Sequence, residues 1–235
     1  SGADLSSLRM AVSAGETLPA PVFKEWIKKT GKPILDGIGA TEMLHIYLSN
    51  RPDANRYGTS GKPVPGYEIR LLDDDGKPVA PGELGELHVS GPTSAAYYWN
   101  NREKSRNTFI GPWTKSGDKY SESGDGYFTY GGRADDMLKV SGIWVSPFEV
   151  ESALSSHAAV LEAAVVGQAD ENGLIKPKAF VVLRPNTPQS AELATALQQH
   201  VKGHLAPYKY PRWIEFVAEL PKTATGKIQR FRLRA

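Results

Sequence analysis

The spacing of apolar residues changes twice along this chain, and those changes restrict it to a mixed architecture rather than a helical bundle or one large sheet. Up to residue 57 short apolar runs alternate with a helical pattern. From 58 to 130 the runs become brief alternating strands cut by Gly and Pro, and beyond 133 strand and helix patterns return together. Residues 8–12 read as a short buried strand running into Ser13-Ala14-Gly15-Glu16. Pro21 opens a helix with Phe23, Trp26 and Ile27 at helical spacing, and Gly31 follows as its C-cap. Residues 33–35 form a second strand leading into a loop, Asp36-Gly37-Ile38-Gly39-Ala40-Thr41-Glu42. Polar groups therefore gather at a strand end, an α/β layout.

The middle section has strand patterns at 67–72, 85–90 and 127–130. Asp73-Asp74-Asp75-Gly76 suits a hairpin turn between strands, so a small all-β barrel or sandwich is expected. Turn chemistry accounts for the three aspartates without a metal. Gly58-Thr59-Ser60-Gly61-Lys62 has a superficial likeness to a phosphate-cradling loop. Pro63 and Pro65 stand where its helix would begin, however, so it reads as a strand connection.

In the last section Ser146-Pro147-Phe148-Glu149 is a capping box with Pro at the first helical position, predicting a helix over 147–155. Runs at 160–166 and 179–183 read as strands. Leu193, Leu197, Val201 and Leu205 make one helical stripe, and 213–217 supplies a last strand. An αββαβ order results. The fold class is thus α/β and β, in three stretches: 1–57, 58–133 and 134–235.

The 28 basic and 26 acidic side chains leave a charge of +2, which gives no reason to expect a nucleic-acid or membrane partner. The charge is uneven: eight Lys or Arg and two Glu fall between Val201 and Ala235, either a solvated basic face or a meeting place for an anionic ligand. With no cysteine there is no disulfide, thiolate metal site or thiol nucleophile. Ser1-Gly2-Ala3-Asp4 is neither basic nor apolar enough for a signal peptide, and no apolar run approaches membrane length. A soluble, cytoplasmic protein is expected. The histidines lack metal-ligand spacing, and no Ser sits in a nucleophile-elbow pattern.

Four segments carry possible chemistry. Thr41 and Glu42 pair a hydroxyl suited to a phosphate oxygen with a carboxylate suited to Mg²⁺, although a helix-capping Thr fits as well. Asp36 sits where an acceptor could face the exocyclic amine of a base. Asp118, following Gly117 and presented from a loop, could accept from a ribose diol or simply complete a turn. Arg133, beside Asp135 and Asp136, could donate to ribose and phosphate or belong to a polar linker. Lys227, in Pro221-Lys222-Thr223-Ala224-Thr225-Gly226-Lys227, could carry an ammonium to developing phosphate charge or merely be solvated.

Taken together, GIGATE (37–42), KSGDKY (115–120), GRADDMLKVSGIWVSPFEVE (132–151) and PKTATGK (221–227) resemble, in order and spacing, the adenylate-forming superfamily of acyl-CoA synthetases, peptide-synthetase adenylation domains and luciferases. SAGETLPA (13–20) and the stretch 36–50 are similar to benzoate-CoA ligases and their hydroxy- and aminobenzoate relatives. The resemblance implies ATP-dependent activation of an aromatic carboxylate as an acyl-adenylate with Mg²⁺, then transfer to coenzyme A with release of AMP. It also implies a place for each candidate. Ala14, Gly15, Glu16, Asp36, Gly37 and Ile38 would border the nucleotide, with Thr41 at its phosphate and Glu42 at the magnesium. Asp118 and Arg133 would hold the ribose. Gly39 and His45 would border the acyl pocket, although a packed core histidine suits His45 equally.

Asp135 matches a hinge, Lys139, Ser141 and Gly142 the face used with coenzyme A, and Lys227 the catalytic lysine, whose acetylation would remove its charge. The family is longer, and its Ser/Thr/Gly-rich phosphate loop precedes every segment seen here. The sequence is therefore expected to be a C-terminal portion: the end of the large α/β domain (1–57), a β-barrel subdomain (58–133) and the small α+β lid domain (134–235). Without its N-terminal portion it is expected to be nearly inactive. An adenylation domain loading a carrier protein, or a non-catalytic nucleotide-binding module, are the alternatives.

Overall fold

The computed structural model describes residues 4–224 and 226–234; Ser1, Gly2 and Ala3 of the chain start, Thr225 of the Lys227 loop and Ala235 lie outside them. The chain divides into two compact units, Ser1–Ala134 and Asp135–Ala235.

The first unit begins with strand β1 (Ala11–Ser13), helix α1 (Ala20–Thr30) and strand β2 (Ile34–Gly39), followed by β3 (Ile46–Ser49) and β4 (Lys62–Pro63). These form one sheet in chain order, β1 and β2 parallel and the others antiparallel. Pro at the start of α1 and the amide of Gly31 donating to Ile27 O close that helix at both ends. The expected loop at 36–39 is strand. Its backbone pairs with β1 at Ser13–Asp36 and with β3 at Ile38–Leu48. Gly39 permits this, because a Cβ there would lie 2.4 Å from His45 O.

Strands β5 (Glu68–Leu72), β6 (Gly85–Ser90), β7 (Phe109–Ile110), β8 (Trp113–Glu122) and β9 (Phe128–Arg133) make an antiparallel sheet ordered β5-β6-β8-β7, with β9 also paired to β8; a short helix, α2 (Arg102–Thr108), precedes β7. Alternation along β5, β6 and β8 turns Leu71, Leu87, Val89 and Tyr120 inward, where they meet Met43, Tyr47 and Leu48 in one core. Segments that read as different textures thus share a single apolar interior. Asp73 caps its own turn, its Oδ1 accepting from the amides of Asp75 and Lys77, as the turn reading requires.

The second unit opens with a hairpin, β10 (Leu138–Val140) and β11 (Ile143–Val145), that the αββαβ reading did not contain; three-residue strands are too short to show a period. Helix α3 (Pro147–Ser155) starts where the capping box places it, with Ser146 Oγ accepting from Glu149 N at 3.3 Å. The Glu149 carboxylate takes the Lys209 ammonium at 2.5 Å. Strands β12 (Val160–Ala169) and β13 (Ile175–Leu183) pair antiparallel, β14 (Trp213–Phe216) joins β13 in parallel, and α4 (Ala191–His204) carries the leucine stripe.

The run Ala163-Ala164-Val165-Val166 is apolar throughout because both faces of the sheet are covered. Ala163, Val165, Ala179 and Val181 face Val150, Leu154, Leu197 and Val201 of the helices. Ala164, Val166, Phe180 and Val182 face Val217, Leu220, Ile228 and Leu233. Each fully buried Val or Leu here contributes about 1.5–3 kcal/mol. Among the described residues no helix is long and apolar enough to cross a membrane.

Candidate active site

Strands β1 and β2 run parallel, so their carboxyl ends open on one side, the usual location of a binding crevice in such sheets. Ala14, Gly15 and Glu16 follow β1 there, with Ser13 level with Asp36 in β2. Buried Asn50 fixes this stretch: its main-chain N–H and its side-chain amide both donate to Asp36 O at 3.0 Å. The Asp36 carboxyl is largely buried. Oδ2 accepts a long 3.5 Å bond from Leu18 N, and Oδ1 is buried with no hydrogen-bond partner. Burial drives its pKa up to about 6, against the Leu18 and Gly37 amides and the Ser13 hydroxyl, which pull it down. A buried, unsatisfied acceptor costs about 1–3 kcal/mol, which a ligand amine can offset.

Gly37, Ile38 and Gly39 continue β2, and Thr41-Glu42-Met43 form a single 3-10 turn after it. Thr41 is therefore not an N-cap, since Ala40 holds that position without a side-chain bond. A loop from the other sheet holds the turn from beyond. Ala95 N donates to Glu42 O at 2.8 Å, Thr93 Oγ1 donates to Met43 O at 2.7 Å, and the Tyr98 hydroxyl donates to Glu42 Oε1. His45 is exposed rather than a packed core residue. Its Nδ1 lies 2.8 Å from Ile46 O, and its ring stands edge-on to Tyr67.

Asp118 is placed by a strand, not by the loop expected for it. β8 runs through it, and Gly117, with φ of +75°, bends the backbone. The bend sets Asp118 directly across from Arg133 of β9; Arg133 Nη1 lies 3.3 Å from both Asp118 Oδ1 and Ser116 O. The positive φ favours glycine at 117, and a Cβ there would lie 2.8 Å from Arg133 Nη2 and push that side chain aside. Tyr47, in the core shared by the two sheets of this unit, is fully buried. Burial raises its pKa first, with Asp118 and Glu42 adding to the rise and the Ser116 hydroxyl and Arg133 opposing it. Tyr47 thus senses all three charged candidates, which the first unit brings into one neighbourhood. Neither Tyr47 nor Tyr98 was singled out from the sequence. Their partners lie tens of residues away, and a tyrosine in a strand or loop carries no mark of such a role.

The remaining candidates belong to the second unit. Asp135, the first residue of that unit, sits in the middle of the 3-10 turn Ala134–Asp136. Ser141 and Gly142, with φ of +50° and +85°, form the exposed tip of the β10–β11 hairpin. Lys139 extends from β10 with its ammonium 5.6 Å from the Trp144 ring centre, and Lys176 reaches Ser141 Oγ at 3.5 Å.

The two ends of the Lys227 loop are tied together: Thr223 N donates to Lys227 O at 2.8 Å and Lys227 N to Thr223 Oγ1 at 3.0 Å, beside a Lys222–Ile228 bridge. Three residues on, Arg230 grips the buried Glu151 carboxylate through Nε at 2.9 Å and Nη2 at 2.7 Å, while Glu151 Oε1 also accepts from Val165 N. Arg230 and Arg234 both reach Asp136, next to the expected hinge.

A buried acceptor at a parallel strand end, a hydroxyl–carboxylate turn and an Asp–Arg pair across a bend have the chemistry to meet a nucleotide. The chain belongs to the AMP-binding enzyme family. The AMP-binding enzyme model matches residues 1–99, and that of the AMP-binding enzyme C-terminal domain matches 149–227. Among curated relatives, the benzoate-CoA ligase of Thauera aromatica is 64% identical over 97% of this chain and 44% of its own length. The 4-hydroxybenzoate-CoA/benzoate-CoA ligase of Rhodopseudomonas palustris is 56% identical over 97% and 42%. The crystal structure of the anthranilate CoA ligase AuaEII with anthranoyl-AMP superposes with a TM-score of 0.92 at 57% identity, covering 98% of this chain and 45% of that one. A benzoate CoA ligase from Burkholderia xenovorans LB400 gives 0.90 at 57%, covering 97% and 45%. The chain thus spans under half the length of these relatives, and its fold is the matching part of theirs.

Proposed function

We propose that this chain is part of an ATP-dependent, AMP-forming aromatic acid–CoA ligase of the benzoate-CoA ligase kind. The observation that carries the reading is the buried Oδ1 of Asp36, an acceptor without a hydrogen-bond donor on the strand that leads into the Thr41-Glu42 turn. Identity of 64% to a benzoate-CoA ligase supports the choice of acid. ATP supplies an α-phosphorus to which the aryl carboxylate bonds as pyrophosphate leaves, and the thiol of coenzyme A then displaces AMP.

In this reading Asp36 accepts from the exocyclic amine of adenine, with the 14–16 loop and the Gly37 and Ile38 backbone bordering the base. Asp118 accepts from the ribose hydroxyls while Arg133 keeps its carboxylate in place. Thr41 donates to a phosphate oxygen. Glu42 offers the hard oxygen that Mg²⁺ prefers, and the metal would neutralise phosphate charge. Gly39 and His45 border the aryl group. Lys227 stabilises the negative charge that develops on phosphate during adenylation. Asp135 serves as the hinge of the second unit, and Lys139, Ser141 and Gly142 serve the thiol step. The three stretches 1–57, 58–133 and 134–235 are then the end of the large domain, its β subdomain and the lid.

Half-reactions test this in the polypeptide as its own cell makes it. Lys227→Ala should slow benzoate-dependent pyrophosphate release by about 10²–10³-fold, the usual loss for one such donor. Thioester formation from supplied benzoyl-adenylate and free coenzyme A should be unchanged. Equal loss of both steps sinks the assignment of Lys227, and failure of free coenzyme A as acceptor favours a carrier-protein enzyme.

A further inference from the structure

We infer that Tyr98 is a positioning residue for the metal-holding carboxylate: its hydroxyl fixes Glu42 through Oε1 and leaves Oε2 for the cation. The inference rests on the reading of Glu42 above. Glu42 belongs to a single 3-10 turn, and a glutamate there would ordinarily wander through its rotamers. Here the Tyr98 hydroxyl donates to Oε1, while Ala95 N holds the Glu42 carbonyl at 2.8 Å. Side chain and backbone of one residue are thus gripped by one segment, 91–98.

Tyr98 is itself held. Its N–H donates to Ser105 Oγ at 2.9 Å, and that hydroxyl donates to Asn101 O at 2.7 Å in the first turn of α2. The ring lies under the Lys104 ammonium, 4.2 Å from its centre, and against Phe109 at 5.3 Å. Thr93, from the same segment, bonds both Met43 O and the Tyr67 hydroxyl. A hydrogen-bonded partner of this kind fixes the orientation of a ligating carboxylate and sharpens its affinity.

The test is Tyr98→Phe, which keeps the ring and removes only the donor, made in the polypeptide as its own cell makes it. Mn²⁺ binding in the presence of a non-hydrolysable ATP analogue, read by electron paramagnetic resonance, should weaken about tenfold, as outer partners of metal ligands usually cause. Thioester formation from supplied benzoyl-adenylate should be unaffected, because a purely structural defect would lower both. Mn²⁺ affinity equal to the parent's overturns the inference, as does a parallel loss in the thioester step. Glu42→Gln separates the layers. If Glu42→Gln loses Mn²⁺ and Tyr98→Phe does not, the positioning role alone fails. If Glu42→Gln retains it, the reading of Glu42 fails and takes Tyr98 with it.

Discussion

Replacing Arg230 by Ala should cost the second unit about 3 kcal/mol, because it leaves a carboxylate ionised and uncompensated inside the fold. The Glu151 side chain is 9% exposed and takes two guanidinium bonds, at 2.9 and 2.7 Å, from Arg230. Truncating one partner of a buried pair costs about 3–5 kcal/mol. The lower end applies here for two reasons. Arg230 is itself 21% exposed, and Val165 N, at 2.8 Å, still donates to Glu151 after the change. Asp136 loses its Arg230 contact at 3.5 Å but keeps Arg234.

For a unit of roughly 100 residues, 1 kcal/mol moves Tm by about 4–8 °C, so calorimetry should show the second unit melting about 12–24 °C earlier. The double variant Arg230→Met with Glu151→Leu removes both charges and should return to within about 1 kcal/mol of the parent, since apolar replacement of a buried pair is often neutral. A single variant that melts within 2 °C of the parent refutes the reasoning. A double variant as unstable as the single shows that lost packing, not a stranded charge, sets the cost.

Two further outcomes concern the first unit. Folding raises the Asp36 pKa from 3.8 to about 6, so the folded state holds this proton more tightly; its stabilising contribution is complete below about 4 and is lost as pH rises through 6. Urea titrations from pH 4 to 7.5 should show that slope in the parent and lose it in Asp36→Asn, while AMP affinity, which needs the ionised acceptor, should fall below pH 6; a flat AMP profile would deny Asp36 its role. Gly117→Ala combines a φ of +75° with a Cβ 2.8 Å from Arg133 Nη2. It should cost about 1–3 kcal/mol and weaken AMP binding by displacing Arg133 from Asp118, and calorimetric titration at parent-like affinity would contradict this.

Local chemistry was legible where it is written in neighbouring residues. Ser146 and Pro147 state the start of α3, Gly31 ends α1, and Asp73 announces its own turn, because each acts within a few positions of itself. Long-range pairing was not. Gly37 and Gly39 suggest a loop to anyone reading along the chain, yet they serve the close approach of β3, which only the folded register reveals. Asp118 reads as a loop residue for the same reason: β8 passes through the bend at Gly117 by pairing with β6 and β9. The types of the polar candidates were visible as motifs, whereas the burial of Asp36 and the hydroxyls of Tyr47 and Tyr98 around them required tertiary structure.

The segment bearing Lys227 is also the cover of a sheet: Val217, Leu220, Ile228 and Leu233 close the face formed by Ala164, Val166, Phe180 and Val182. The proposed role of Lys227 and the cover of this sheet face therefore lie on the same stretch of polypeptide. A molecule clipped ahead of Leu220 loses its lysine and, in the same stroke, bares an apolar surface of the kind that proteases and chaperones recognise. Damage at this end would therefore take away Lys227 and expose that apolar face together.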